Sequence, residues 1–210
     1  MNRYGQPPKV IGEIHPAVTE LFLYQYMPIK LAGFDQPRLE PRLFPFKEMI
    51  GRVCCDFIGV RGLDAYMQSN LYMTAKRMFV KPDKAFNRQG YHSDGFGTDD
   101  LNYIWSDRFP TIFNIAEFTL SPDDQRSLAD MESQARIENE ITFPDCSIVR
   151  LDQFNIHKVA PVTETAIRTF VKLSFSGDRY DLEGNTHNHL LDYDWPMRAR
   201  ESARNVPQSI

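Results

Sequence analysis

Tyr72-Met73-Thr74-Ala75-Lys76-Arg77-Met78-Phe79-Val80, followed by Lys81-Pro82-Asp83, is where this chain changes texture. Aromatic and β-branched side chains spread along an unbroken run that a proline turn closes, which predicts a strand. Downstream, residues 147–154 and 167–175 read the same way, and 111–120 is apolar and β-prone. Between the first two lies 156–162, where Pro161 either ends pairing or sits on an edge. Asn87-Arg88-Gln89-Gly90 reads as a turn, and the polar stretch 125–140 as a surface helix or a lid. Upstream the pattern is helical. Residues 14–27 carry Ala17, Val18, Leu21, Phe22, Tyr24 and Tyr26 at roughly helical spacing, with Pro16 placed for a first turn. A loop over 34–46 is punctuated by Pro37, Pro41 and Pro45. Residues 46–60 then predict a second helix with Ile50, Val53, Cys54, Phe57 and Ile58 on one side, and the thiols Cys54 and Cys55 read as packing. Helices first and short strands later predict a mainly β barrel or sandwich with N-terminal helices packed outside. The 210 residues are expected to form a single domain: helical support over 1–69, a β core over 70–176 with a polar insert near 121–140, and a polar tail over 177–210 that wraps the surface.

Composition narrows the function classes. A hydrophobic share of 42% with fifteen Phe and nine Tyr is enough for a substantial core and leans toward β structure. The net charge of -4, with no long basic run, disfavours binding to long nucleic acid. Three cysteines, two of them adjacent and none in a Cys-x-x-Cys, argue against a disulfide framework or a thiolate zinc site. No secretory leader and no apolar stretch of bilayer length is visible, so a cytoplasmic protein without a membrane anchor is expected.

The chemistry-bearing residues are far apart along the chain. Tyr91-His92-Ser93-Asp94 places an imidazole and a carboxylate two positions apart, which in an extended segment puts both on one side. His157 follows the run Ile148-Val149-Arg150-Leu151-Asp152-Gln153-Phe154. Alone, each is commonplace, and a lone histidine is usually a satisfied core or surface residue. Together, two imidazoles and a carboxylate can hold one face of a ferrous ion and leave three positions open. Arg168 opens an apolar β run, and a charged residue there calls for an anionic partner unless it lies on an exposed edge.

His-x-Asp, then His157-Lys158-Val159-Ala160-Pro161-Val162, then Arg168 in a β run resemble the iron(II)/2-oxoglutarate-dependent dioxygenases, closest to the prolyl-hydroxylase-like and amino-acid-hydroxylase-like branches. The resemblance covers about residues 71–175. It implies a double-stranded β-helix, the cupin-like jelly roll. It implies that His92, Asp94 and His157 bind Fe(II) and act as the catalytic centre, and that Arg168 holds the far carboxylate of 2-oxoglutarate. Thr111 matches a position that helps bind this co-substrate in relatives, and Tyr72 is a further candidate of that kind. The implied reaction consumes O2 and 2-oxoglutarate, releases succinate and CO2, and hydroxylates a C–H bond. The chain departs from the family at Phe170, where a serine is common, and at Asp145-Cys146, where a glycine is common.

Tyr103, Trp105 and Arg108 follow the first motif. The aromatics read equally as core or as the wall of a substrate pocket, in which Asp99, Asp100 and Arg108 supply polar recognition. The glycine-rich Gly95-Phe96-Gly97-Thr98 lacks a lysine and reads as a mouth loop rather than a phosphate cradle. His187, His189, Asp192 and Asp194 resemble a second metal cluster but lie in a polar tail. The substrate class stays open among small molecules, amino acids, nucleotides and peptide side chains. Two rival readings are a non-catalytic cupin-like metal- or ligand-binding protein and a 2-oxoglutarate-independent iron or manganese enzyme.

Overall fold

The computed structural model describes residues 4–82 and 89–200, so Asp83 and the Asn87-Arg88 half of the expected turn lie outside the described residues. Among the described residues, nine strands and three α-helices follow one another as β1 (Lys9–Glu13), β2 (Phe22–Lys30), α1 (Lys47–Arg61), α2 (Leu63–Gln68), β3 (Asn70–Val80), β4 (Leu101–Ser106), β5 (Ile112–Asn114), α3 (Asp124–Gln134), β6 (Glu140–Ile141), β7 (Ser147–Leu151), β8 (His157–Lys158) and β9 (Ala166–Ser176). Six strands form an antiparallel sheet in the order β1-β7-β4-β9-β3-β2, and three form a second sheet in the order β6-β5-β8. The fold is thus mainly β, with two sheets and few helices.

Alternation along the strands separates two cores. Leu71, Met73 and Ala75 of β3, Leu101, Tyr103 and Trp105 of β4, and Val171, Leu173 and Phe175 of β9 join Met49, Ile50, Val53 and Phe57 of α1 in the larger cluster. Each of these α1 side chains contributes about 1.5–3 kcal/mol by leaving water. The opposite face of the same sheet carries Ile104, Val149 and Leu151, which pack against Phe113 of the small sheet and half-buried Phe170. Helices, large sheet and small sheet are therefore stacked as three layers, and the second interface is where the chemistry-bearing residues fall.

The expected helix over 14–27 is replaced by irregular chain and strand β2. Phe22 and Tyr24 are each 7% exposed while Leu21 and Leu23 are 50% and 55% exposed, which is a period of two rather than 3.6. Tyr26 then breaks the alternation. It sits at a pairing irregularity with a left-handed φ of 47°, and its backbone N–H donates to Thr74 Oγ1. This bulge resets the phase so that Met27 and Ile29 return to the core, and the mixed phase is what imitates helical spacing. The second expected helix forms as α1, ending at Gly62, whose φ of 89° suits a glycine. Cys54 of α1 packs against the large core but Cys55 is exposed, so only one of the pair is packing; all three thiols are free. The polar insert contains α3, capped by the Asp123 carboxylate, which accepts from the backbone of Gln125 and Arg126. The tail is anchored rather than merely polar. Asn188 is fully buried, and its amide donates to the carbonyls of Pro28 and Arg38.

Lys30 is fully buried at the end of α2, where its ammonium donates to the carbonyls of Tyr66 at 2.8 Å and Ser69 at 2.7 Å. Those carbonyls lie at a helix C-terminus, where intrahelical donors run out. Burial pulls the Lys30 pKa down from 10.5 to about 8, against weaker opposition from Cys54 and Asp35. Between these values the unfolded chain holds a proton that the folded chain lacks, so Lys30 makes stability rise with pH in that window. Urea unfolding at pH 8 and pH 9.5 is expected to show wild type gaining about 1.5 kcal/mol more than Lys30→Met. Equal gains in the two chains would contradict this account of Lys30.

Candidate metal centre

His92 and His157 face each other across an isolated antiparallel bridge, exchanging both backbone hydrogen bonds at 2.9 Å. Directly opposed residues project side chains to the same face, so the two rings stand side by side with centroids 4.5 Å apart. Asp94, two residues on from His92, returns to that face. Ligand-capable atoms of His92, Asp94 and His157 all lie within 4.8 Å of one another, and among the described residues no other group brings three such atoms together.

The backbone around the triad sets the histidine tautomers. His92 Nδ1 lies 3.0 Å from the Gly90 carbonyl and His157 Nδ1 lies 3.0 Å from the Asn155 carbonyl. A carbonyl only accepts, so each Nδ1 carries the proton and each Nε2 offers its lone pair to the space beside Asp94. Metal-binding histidines are commonly oriented this way. Gly90 has a φ of 81°, and its carbonyl is presented from the turn that Tyr91 continues, with the Tyr91 N–H held by Glu132 of α3. On the other side, Ser93 Oγ donates to the Gln153 carbonyl, and the Gln153 amide ties down Gly97 and Thr98 of the loop that follows Asp94.

The large sheet supplies a basic floor. Reading alternate residues on its inner face gives Arg168, Phe170, Lys172 and Ser174 on β9, paired with Met78, Lys76, Thr74 and Tyr72 on β3. Lys172 Nζ lies 2.8 Å from Asp94 Oδ2, the same oxygen that faces His157 Nε2 at 3.6 Å. Burial alone would raise the Asp94 pKa, but the Lys172 ammonium holds it well below the ordinary carboxylate range. Burial likewise works against the charge of Lys172, and Asp94, ahead of Tyr26 and Asp100, more than restores it. Lys76 is pulled down by burial and by the neighbouring charges of Arg168 and Lys172. Three cations thus share one interior face with a single ligand carboxylate.

Arg168 is 5% exposed and reaches out of that face to the loop after β4, where its Nε and Nη2 donate to the carbonyls of Arg108 at 2.9 Å and Phe109 at 3.0 Å. Its guanidinium also lies 5.2 Å from the Phe170 ring centroid. Burial lowers its pKa to about 10, partly offset by Asp107 and Asp145, so it remains charged at neutral pH. Thr111 lies in the same region. It lines a shallow cleft between the sheets with Pro110, Phe113, Phe143 and Phe170. The Phe113 ring also lies 5.6 Å from His157, so one wall of this cleft backs onto the triad.

Several expected site residues are placed elsewhere. Tyr103 and Trp105 project to the helix side of the large sheet, away from the triad. The Tyr103 hydroxyl donates to Asp56 of α1 and the Trp105 indole to the Ile14 carbonyl. Both are buried in the large core, and Trp105 also borders the cleft that Thr111 lines. The Arg108 side chain is a surface group facing Glu164 at 3.6 Å, and its contribution to the interior is its carbonyl. Tyr72 does point to the inner face, but its hydroxyl donates to the Asp178 carbonyl and its ring stacks on Tyr180 at 4.1 Å, so it anchors the tail. Asp100 likewise accepts from the Tyr180 hydroxyl. His187 and His189 stand close, with ring centroids 4.8 Å apart, but are not joined by a third ligand group. Residues that the motifs did not mark are Lys172, Lys76, Asn155 and Gln153. Lys172 was legible from its phase, four residues beyond Arg168 and so on the same strand face.

No family model and no curated protein matches this chain. Among solved structures the chain is similar to EvdO2 from Micromonospora carbonacea var. aurantiaca, at 13% identity and a TM-score of 0.41, over 60% of this chain and 59% of that one. The likeness therefore spans less than two thirds of either molecule.

Among the described residues no helix is long and apolar enough to cross a membrane.

Proposed function

We propose that this protein is a non-heme Fe(II)/2-oxoglutarate-dependent oxygenase of jelly-roll architecture that hydroxylates a small organic substrate. The observation that carries the proposal is the triad: two Nε2 atoms and one carboxylate, from distant parts of the chain, converge on one space while both histidine tautomers are fixed from behind. The donor set suits a borderline divalent ion such as Fe(II) and leaves room for exogenous ligands. The strand order supports the jelly roll. After β4 the chain enters the small sheet as β5 and β6, returns as β7, crosses again as β8 and returns as β9. In that reading the three strands β6-β5-β8, with the single His92 bridge beyond β8, lie opposite β7-β4-β9-β3.

Bound iron supplies the activation of dioxygen, and the protein's own part is orientation and charge. Asn155 and Gly90 hold the imidazoles in their binding tautomer. Arg168 and Lys76 give the interior a cationic character suited to a dicarboxylate co-substrate, and Phe113 and Phe170 form a dry wall that limits access of water. A cytoplasmic setting and a small-molecule or amino-acid-like substrate belong to the same reading. The test is anaerobic loading with Fe(II), addition of O2 and 2-oxoglutarate, and measurement of succinate across amino acids, nucleotides, peptides and small metabolites. Metal-dependent succinate release that one substrate class stimulates is expected. Metal binding without any consumption of 2-oxoglutarate would favour a cupin-like binding protein instead.

A further inference from the structure

We propose that Lys172 is a resident counter-cation of the metal centre: it neutralises Asp94 while the ion is absent, and the ion displaces it toward an incoming anionic ligand, which makes metal and anion binding cooperative. This rests on the metal-site reading above. The geometry points to it because Lys172 Nζ sits 2.8 Å from Asp94 Oδ2, on the oxygen that also faces His157. A divalent ion held by Asp94, His92 and His157 would meet that ammonium at close range, and like charges there repel strongly. The lysine must therefore leave the carboxylate or share it with a new negative charge.

The inner sheet face offers a place for that charge. Lys172 is cross-strand to Ile104 of β4, and Asn102 is the next inward residue on that strand, opposite Ser174. The Asn102 carboxamide oxygen accepts from Ser174 Oγ at 2.6 Å. Its Nδ2 is buried and has no hydrogen-bond partner among the described residues. A buried donor without an acceptor is costly and calls for an explanation. A carboxylate placed between Asn102 and a released Lys172 satisfies both. The ligand class is then a small carboxylate, bound cooperatively with the metal.

The experiment is calorimetric titration of the full chain with Mn(II) alone and again with oxalate as a generic chelating carboxylate. In wild type, oxalate is expected to tighten Mn(II) binding, and by linkage Mn(II) tightens oxalate by the same factor. Lys172→Met is expected to bind Mn(II) alone about tenfold more tightly and to lose about tenfold of the oxalate gain, within the usual span of such couplings. Lys158→Met, which removes a cation paired instead with Glu140, should change neither. If Lys172→Met does not fold in buffer, Mn(II) should restore it, since the ion replaces the missing charge. Mn(II) binding no tighter than wild type, an undiminished oxalate gain, or a variant that stays unfolded in saturating Mn(II) would overturn the proposal while leaving the metal site intact. No Mn(II) binding by wild type, or binding that survives His92→Ala, would overturn the metal-site reading as well.

Discussion

His157→Ala is expected to abolish binding of a divalent metal and all metal-dependent turnover while the protein stays folded. The substitution removes a whole ligand, so affinity should fall by more than the roughly 10–100-fold that losing an outer-shell partner costs. The bridge to His92 is made by backbone atoms on both sides, so alanine retains it. His157 is therefore a cleaner probe than Asp94. Asp94→Ala would also leave the Lys172 ammonium buried without its carboxylate, and breaking such a pair costs about 3–5 kcal/mol. Calorimetry with Mn(II) should find one site in wild type and none at comparable concentration in the variant. Unchanged affinity would exclude the triad as the binding site.

The second large effect is expected at Arg168. Replacing it with alanine should raise the 2-oxoglutarate requirement on the order of 100-fold, as for loss of one buried partner of a charged contact, with Mn(II) affinity nearly unchanged. The separation follows from distance along β9. Arg168 lies four residues from Lys172, about 13 Å at strand rise, and points toward the loop carbonyls of Arg108 and Phe109. Arg168→Lys should recover part of the loss, since charge returns but the planar fork does not. Steady-state KM for 2-oxoglutarate alongside Mn(II) titration checks both halves. An unaltered KM would move the co-substrate anchor to the lysines of the same face. A collapse of metal affinity would mean that Arg168 supports the triad itself.

Much of this arrangement could be read before folding, for reasons that differ by element. Strands β3 and β9 are long and pair residue for residue without a shift, so their composition alone marked them. Helix α1 has enough turns to show a periodic apolar side. The two histidines and the aspartate were visible as ligand types, but nothing local showed that His92 and His157 would be bridge partners, because that depends on a contact between segments 65 residues apart. β2 was misread because the Tyr26 bulge mixes two phases of a strand. Tyr103 and Trp105 could not be assigned to a face, since every residue of β4 is buried and Ile104 puts an apolar side chain on the second face as well. Tyr72 was a candidate co-substrate contact, but its hydroxyl donates to the Asp178 carbonyl, in a tail that reads as solvent-exposed from composition.

The metal site itself is tested most directly by diffraction from crystals soaked in Mn(II), recorded at the manganese absorption edge. One strong anomalous peak is expected among His92 Nε2, His157 Nε2 and an Asp94 oxygen, about 2.0–2.2 Å from each, typical of first-row metal–N/O bonds. An anomalous map with no peak there, or with its only peaks at surface carboxylates, would contradict it.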